Sequence, residues 1–252
     1  QWRVRQRRPL HIPHLEALGL GAAMRSAAGA WPDGLARRDG FEAAHAAAAE
    51  RSRGKDTPSG HWEMTGCPVD FDWGYFPRTV PCFPAELMAQ WHARCGLSGS
   101  LGQCHASGTE IIAQLGAEHV RTGQPIVYTS SDSVFQVAAH EQHFGLPRLL
   151  DICVQAFELL QPLNIARVIA RPFAGEPGAY RRTHHRKDFA IAPPAPTLLD
   201  AAQAQGREVV ALGKIGDIFA MRGVSTLIKG DGNAALFDRL LEQVGTAPDG
   251  AL

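Results

Sequence analysis

Beyond Pro84 the apolar positions fall into short runs whose period changes from run to run, and the period predicts the element each run makes. PAELMAQWHARCG (84–96) and GTEIIAQLGAEHVRTG (108–123) carry helical spacing up to a terminal glycine, and RLLDICVQAFELLQ (148–161) makes another helix. SDSVFQVAAHEQHFG (131–145) reads as a helix too, with Ser131 or Asp132 as its N-cap and Gly145 as its stop. The runs PIVYTS (125–130), ARVIARPF (166–173), the start of VVALGKIGDIF (209–219) and STLIKG (225–230) are compact and rich in β-branched residues, as buried strands are. Strands that alternate with helices predict an α/β chain.

The first third is less regular. PLHIPHLEALGL (9–20) predicts a turn and then one or two turns of helix, and alanine-rich FEAAHAAAAE (41–50) is helical by propensity alone. PVDFDWGYFPRTVPCFP (68–84), dense in proline and aromatics, predicts an irregular connection or a domain crossing.

Composition changes the picture little. The 252 residues are 45% hydrophobic, ordinary for a globular protein, and 25 basic residues balance 25 acidic ones, so no net field recruits nucleic acid or an anionic membrane. The local exception, Arg3, Arg5, Arg7 and Arg8, reads as a solvated end. No apolar run approaches the ~20 residues of a membrane helix and no leader pattern is seen, so a cytoplasmic protein is expected. Five cysteines, none in a C-x-x-C pair, predict free thiols.

Four polar clusters lie where elements end. KDTPSGHWE (55–63) reads as a loop stiffened by Pro58 and bent at Gly60, able to present the Thr57 hydroxyl. The bland alternative has Asp56 and Thr57 capping backbone amides. YTSSDSV (128–134) offers hydroxyls for an anion and Asp132 for sugar hydroxyls, or is an ordinary cap. In RVIARPFAGEPGAYRRTHHRKD (167–188) six basic residues, Arg167, Arg171, Arg181, Arg182, Arg186 and Lys187, surround a Gly/Pro bend: a phosphate seat or a solvated basic loop. GKIGDIF exposes Lys214 between glycines without a phosphate-loop pattern. Two motifs are set aside: HEQH (140–143) has its histidines three apart instead of the four a zinc helix needs, and adjacent His184 and His185 cannot share a metal from one strand, so these read as surface histidines.

The strings GKDTPSGHWE, PIVYTSSDSVFQVAAHEQHFGL, RVIARPFAGEPGAYRRT, APPAPTLLD and GKIGDIFA, in this order, resemble the bacterial phosphopentomutases of the alkaline phosphatase superfamily. The resemblance runs from about Pro9 to Ile228. It implies an α/β fold: part of an alkaline-phosphatase-like metal-binding core (1–70), an inserted α/β cap domain (71–192) and a return into the core (193–252).

The implied enzyme belongs to nucleoside catabolism and interconverts ribose or deoxyribose 1-phosphate and 5-phosphate. Thr57 would carry the phosphoryl group, two manganese ions would serve the site, and glucose 1,6-bisphosphate would prime the threonine. Ser130, Asp132, Val134, Arg167, Ile169, Arg182 and Lys214 sit where the family's substrate-facing residues fall. The family's opening metal-binding aspartate and its later D-H-G and D-H-T segments have no counterpart here, so a piece of a longer protein is expected, inactive alone, with no metal ligand of its own to name. A sugar-phosphate-binding or interaction module that has lost the metal core, and a related metal-dependent phosphatase or phosphomutase acting on a different sugar, are the competing readings.

Overall fold

A computed structural model describes residues 11–252; the four arginines near the start lie outside the described residues. The chain divides after Arg51 into two compact units. In the first, α1 (Pro13–Ala17) and α2 (Leu20–Ala28) meet at Gly19, whose φ of 98° only glycine adopts easily. FEAAHAAAAE is not helical, contrary to expectation. Ten alanine-rich residues form only a marginal helix without an apolar face to pack. The segment is instead held by the Glu42 amide on the Ala17 carbonyl at 3.0 Å and by an edge-on contact of Phe41 with His45.

The second unit opens with α3 (Thr57–Met64), followed by an irregular stretch and α4 (Ala85–Cys95). Next come β1 (Leu101–His105), α5 (Gly108–Thr122), β2 (Ile126–Thr129), β3 (Val134–His140), α6 (Leu146–Leu160), β4 (Arg167–Ala174), β5 (Arg181–Arg182) and β6 (Lys187–Ala190). These six strands form one mixed sheet: β1 parallel to β2, β2 antiparallel to β3, β3 parallel to β4, and β5 and β6 both antiparallel to β4. The remainder comprises α7 (Leu198–Ala204), β7 (Val210–Leu212), the single turn α8 (Ile215–Ile218), β8 (Thr226–Ile228) and α9 (Gly232–Thr246), with β7 and β8 paired in parallel.

Two expectations fail here, for the same reason. SDSVFQVAAHEQHFG is not one helix: Val134–His140 is a strand with every residue buried, and only Glu141–Gly145 is helical, a π-turn that leads directly into α6 at Leu146. KDTPSGHWE is not a loop, because residues from Thr57 on are helical and Gly60 sits inside the helix without any special bend. In both, tertiary packing overrides local preference. Trp62 of α3 is fully buried among Cys67, Val69, Trp73, Leu199 and Ile218, and its indole donates to the Ile218 carbonyl at 3.0 Å. That anchor holds a helix whose Pro, Ser, Gly and His would not form one alone.

The sheet is covered on both faces, which is why β3 is buried along its whole length and apolar except at Gln136 and His140. On one side α4 and α6 bring Trp91, Leu149, Ile152 and Cys153 against Phe135, Val137 and Val168, with the Trp91 indole donating to the Ile152 carbonyl at 2.8 Å. On the other, Ile111 and Ile112 of α5 pack on Ile126, Tyr128, Ala138 and Phe173. Five free cysteines are present, three of them buried. No helix among the described residues is long and apolar enough to cross a membrane.

Candidate active site

Thr57 is the first residue of α3, half-buried, and its hydroxyl has no hydrogen-bond partner among the described residues; its carbonyl meets His61 Nδ1 at 2.8 Å. Asp56, just before it, makes no capping hydrogen bond, so the bland capping alternative does not describe it. Its carboxylate faces Arg167 instead, Oδ1 accepting from Nε at 2.8 Å and Oδ2 from Nη2 at 3.1 Å. Arg167 Nη1 then donates to Asp188 Oδ2 at 2.9 Å, and Arg186 grips both oxygens of Asp188 at 2.7 and 2.9 Å. The side chains of Asp56, Arg167 and Asp188 are 0, 3 and 2% exposed, a buried chain of alternating charge. Burial pushes the Asp56 carboxyl up to about 6 against the opposing pull of Arg167. Burial acts on Asp188 too, but there the hydrogen bonds and charge of Arg186 and Arg167 outweigh it and hold the carboxyl below its ordinary range.

Arg167 therefore has a different immediate role from the phosphate grip that residue type suggested: its guanidinium is committed to two carboxylates. Val134 and Ile169 are 1 and 2% exposed, so their side chains belong to the core, and Val134 pairs in register with Arg167. Ser130 and Asp132 lie in the turn between β2 and β3, where the Asp132 amide meets Ser130 Oγ at 3.4 Å. Lys55 reaches into the same turn, 2.9 Å from Ser131 Oγ and 3.4 Å from Asp132 Oδ1. Lys214 is exposed at the start of α8; partial burial and the charges of Arg167 and Arg186 lower its pKa, which puts it in the field of the same network. Asp132, Arg167 and Lys214, from distant parts of the sequence, thus lie within electrostatic reach of Asp56, the residue that precedes Thr57.

Arg182 stands apart from that network. It is exposed on β5 and lines a cavity of about 520 Å³ with Arg171, Pro172, Thr183, Arg186, Gly232 and Asn233. Three guanidiniums and the N-terminal residues of the 15-residue helix α9 share this cavity, an arrangement suited to an anion. Arg171 is braced by Nε donating to Gln136 Oε1 at 2.7 Å. Glu141 holds the far side of the hairpin, accepting from the Thr183 hydroxyl and from His185 Nδ1 at 2.8 Å.

Residue typing missed Asp188, Gln136 and Glu141: Asp188 meets Arg186 two positions away but Arg167 21 away, Gln136 meets Arg171 35 away, and Glu141 meets His185 44 away. For Gln136 the available signal was a polar residue amid apolar neighbours in Val134–Ala139. His140 is a correction: it is 1% exposed instead of superficial, with Nε2 on the Gly175 carbonyl at 3.0 Å and Nδ1 accepting from the Gln142 and His143 amides. His184 and His185 are exposed.

No group of three His, Cys, Asp or Glu side chains that could hold a metal ion occurs among the described residues. The metal pair that the resemblance implies does not fit these residues alone, and no chemical step is derived through it.

No family model matches the chain. Curated proteins do. The protein of Rhizobium meliloti (strain 1021) named phosphopentomutase is 56% identical over 245 residues, 97% of this chain. Those of Methylorubrum extorquens (strain PA1) and Legionella pneumophila (strain Paris), with the same name, are 57 and 56% identical over 96 and 97% of it. The chain belongs to the phosphopentomutase family. It spans about 60% of the length of these phosphopentomutases, and the aligned part includes both the Thr57 helix and the arginine hairpin.

Proposed function

We propose that the complete protein is a phosphopentomutase, an intramolecular phosphotransferase that interconverts (deoxy)ribose 1-phosphate and 5-phosphate through phosphorylated Thr57. The observation that carries this reading is the identity of more than half of all residues to proteins of that name across nearly the whole chain. The geometry supports it. A phosphoryl group on Thr57 sits in the first turn of α3, where free amides and the helix dipole favour negative charge, and the Asp56–Arg167 pair fixes the backbone just before it. Transfer from Thr57 to one sugar hydroxyl gives a bisphosphate; return of the other phosphoryl group to Thr57 completes the exchange, with no net gain or loss of phosphate.

Ser130 and Asp132 have the chemistry for ribose hydroxyls, and Lys214 for the transferring phosphoryl group. The backbone at Val134 and Ile169 would border the sugar. Arg182, with Arg171 and Arg186, would seat the phosphate that does not react. Two manganese ions and priming by glucose 1,6-bisphosphate complete the reading, the metal ligands being supplied by parts of the protein beyond these residues; the ions would neutralise charge on the transferring group. The division into core (1–70 and 193–252) and cap (71–192) is supported by the six-stranded sheet falling wholly within 101–190. The enzyme would act in the cytoplasm, in nucleoside catabolism. Turnover of ribose 1-phosphate by the complete protein tests the reading: Thr57→Ala should abolish it, and undiminished turnover would refute the phosphothreonine route.

A further inference from the structure

Of the three arginines around the 520 Å³ cavity, two are braced through their own guanidiniums, Arg171 on Gln136 and Arg186 on Asp188. The Arg182 side chain has no such brace among the described residues, so its backbone sets its place. That backbone is the two-residue strand β5, exposed at both residues and in register with Phe173 and Ala174. So short a strand, with no buried side chain, contributes little to its own placement.

The end of β3 supplies what β5 lacks. His140 and Glu141 are consecutive, and each reaches one limb of the hairpin that follows β4. His140 Nε2 donates to the Gly175 carbonyl at 3.0 Å, and Glu141 Oε1 accepts from the Thr183 hydroxyl and from His185 Nδ1 at 2.8 Å. Thr183 follows Arg182 directly and lines the cavity with it, and its amide donates to the Pro172 carbonyl at 3.0 Å. Glu141 thus grips the cavity wall from behind, without lining the cavity itself. Burial acts to raise its carboxyl, but the hydrogen bonds of Thr183 and His185 outweigh it and hold the group below its ordinary range. By charge alone a carboxylate bonded to the wall opposes an anion inside, so any gain in anion binding from Glu141 must come through geometry.

We infer that Glu141 is a positioning residue: it fixes the hairpin at Thr183 and so holds the Arg182 guanidinium at the cavity, where the substrate's non-reacting phosphate would sit. The inference rests on the reading of that cavity as the phosphate seat and names the residue that sets its geometry.

The test is steady-state kinetics of the complete protein on ribose 5-phosphate for the wild type, Glu141→Ala, Glu141→Gln, Arg182→Ala and the double variant Glu141→Ala/Arg182→Ala. Glu141→Ala should raise KM about tenfold, the scale of one hydrogen bond to a charged group, with kcat little changed. Glu141→Gln keeps an amide oxygen that accepts from Thr183 and should recover most of that loss. In the Arg182→Ala background Glu141→Ala should add nothing, because it acts through Arg182; additive losses would overturn the inference. A merely structural role would lower the active fraction, hence kcat, and leave KM in place, and a merely electrostatic one would lower KM; either result overturns the inference. Should Glu141→Ala fail to fold, Thr183→Val removes the same bond from its other side and takes its place in the cycle. A KM raised by Arg182→Ala but not by Glu141→Ala would overturn the inference alone, whereas a KM that Arg182→Ala leaves unmoved would overturn the phosphate seat as well.

Discussion

Arg167 grips Asp56 with two parallel hydrogen bonds across 111 residues of sequence, and in doing so ties the central strand β4 to the residue just before Thr57. Neither side chain is more than 3% exposed, so neither charge has water to fall back on. Removing one partner leaves the other buried and uncompensated, which is far costlier than losing a surface pair. Arg167→Ala is expected to destabilise the protein by ~3–5 kcal/mol, read as a shift of the urea midpoint. A loss below ~1 kcal/mol would show that the pair is not holding this part of the fold.

His119 gives the fold a pH dependence of known sign. Its Nε2 accepts from the His140 amide at 2.9 Å, so Nδ1 carries the proton toward the Gln124 carbonyl at 2.7 Å and the ring is neutral. Burial, with His140 and His143 adding to it, lowers its pKa. The unfolded chain therefore takes up this proton first, as pH falls through about 6.5, and the stability His119 contributes is present above that value and lost below it. Asp56, raised to about 6, acts oppositely, since its contribution falls as pH rises from about 4 through 6. Comparing wild type with His119→Gln isolates the histidine: the variant should lose stability less steeply between pH 6.5 and 5, and identical slopes would contradict the assignment.

Arg182→Lys keeps a charge in the arginine cavity and removes the planar fork. Use of ribose 5-phosphate by the complete protein should weaken by roughly tenfold or more, through KM more than kcat, because the non-reacting phosphate is held alike in ground and transition states. An unchanged kcat/KM would move the phosphate seat elsewhere.

How much of this was legible in the sequence depended on the range of the interactions. The helices at 85–95, 108–122 and 146–160 announce themselves because each buries one face and the first two stop at glycines in the left-handed conformation. Strand β3 does not, since Val134, Phe135, Val137 and Ala138 fit a helical face as well as a doubly covered strand, and Gln136, which breaks the run, is buried to brace Arg171. Strands β1, β5 and β6 and the helix at 232–246 went unread; β5 has two residues and is defined only by its partner. The role proposed for Thr57 was legible through the family strings alone. Its setting was not, because Asp56, Arg167 and Asp188 meet only in the folded chain, and no spacing rule reaches across 111 residues.

The described residues bring together no metal-ligating trio, and a divalent ion needs several donors in fixed geometry. Elemental analysis of the purified 252-residue chain, dialysed against manganese, should find well below one ion per chain. Two tightly held ions would mean that these residues, with the remaining ten, assemble a site by themselves.

Phosphorylation of Thr57 tests the account most directly. The measurement is peptide mass spectrometry of the complete protein after incubation with glucose 1,6-bisphosphate and manganese. One phosphoryl group should be found on the peptide that contains Thr57, and it should be discharged when ribose 5-phosphate is added. An active enzyme in which Thr57 stays unmodified, with the phosphoryl group on another residue or on none, would contradict it.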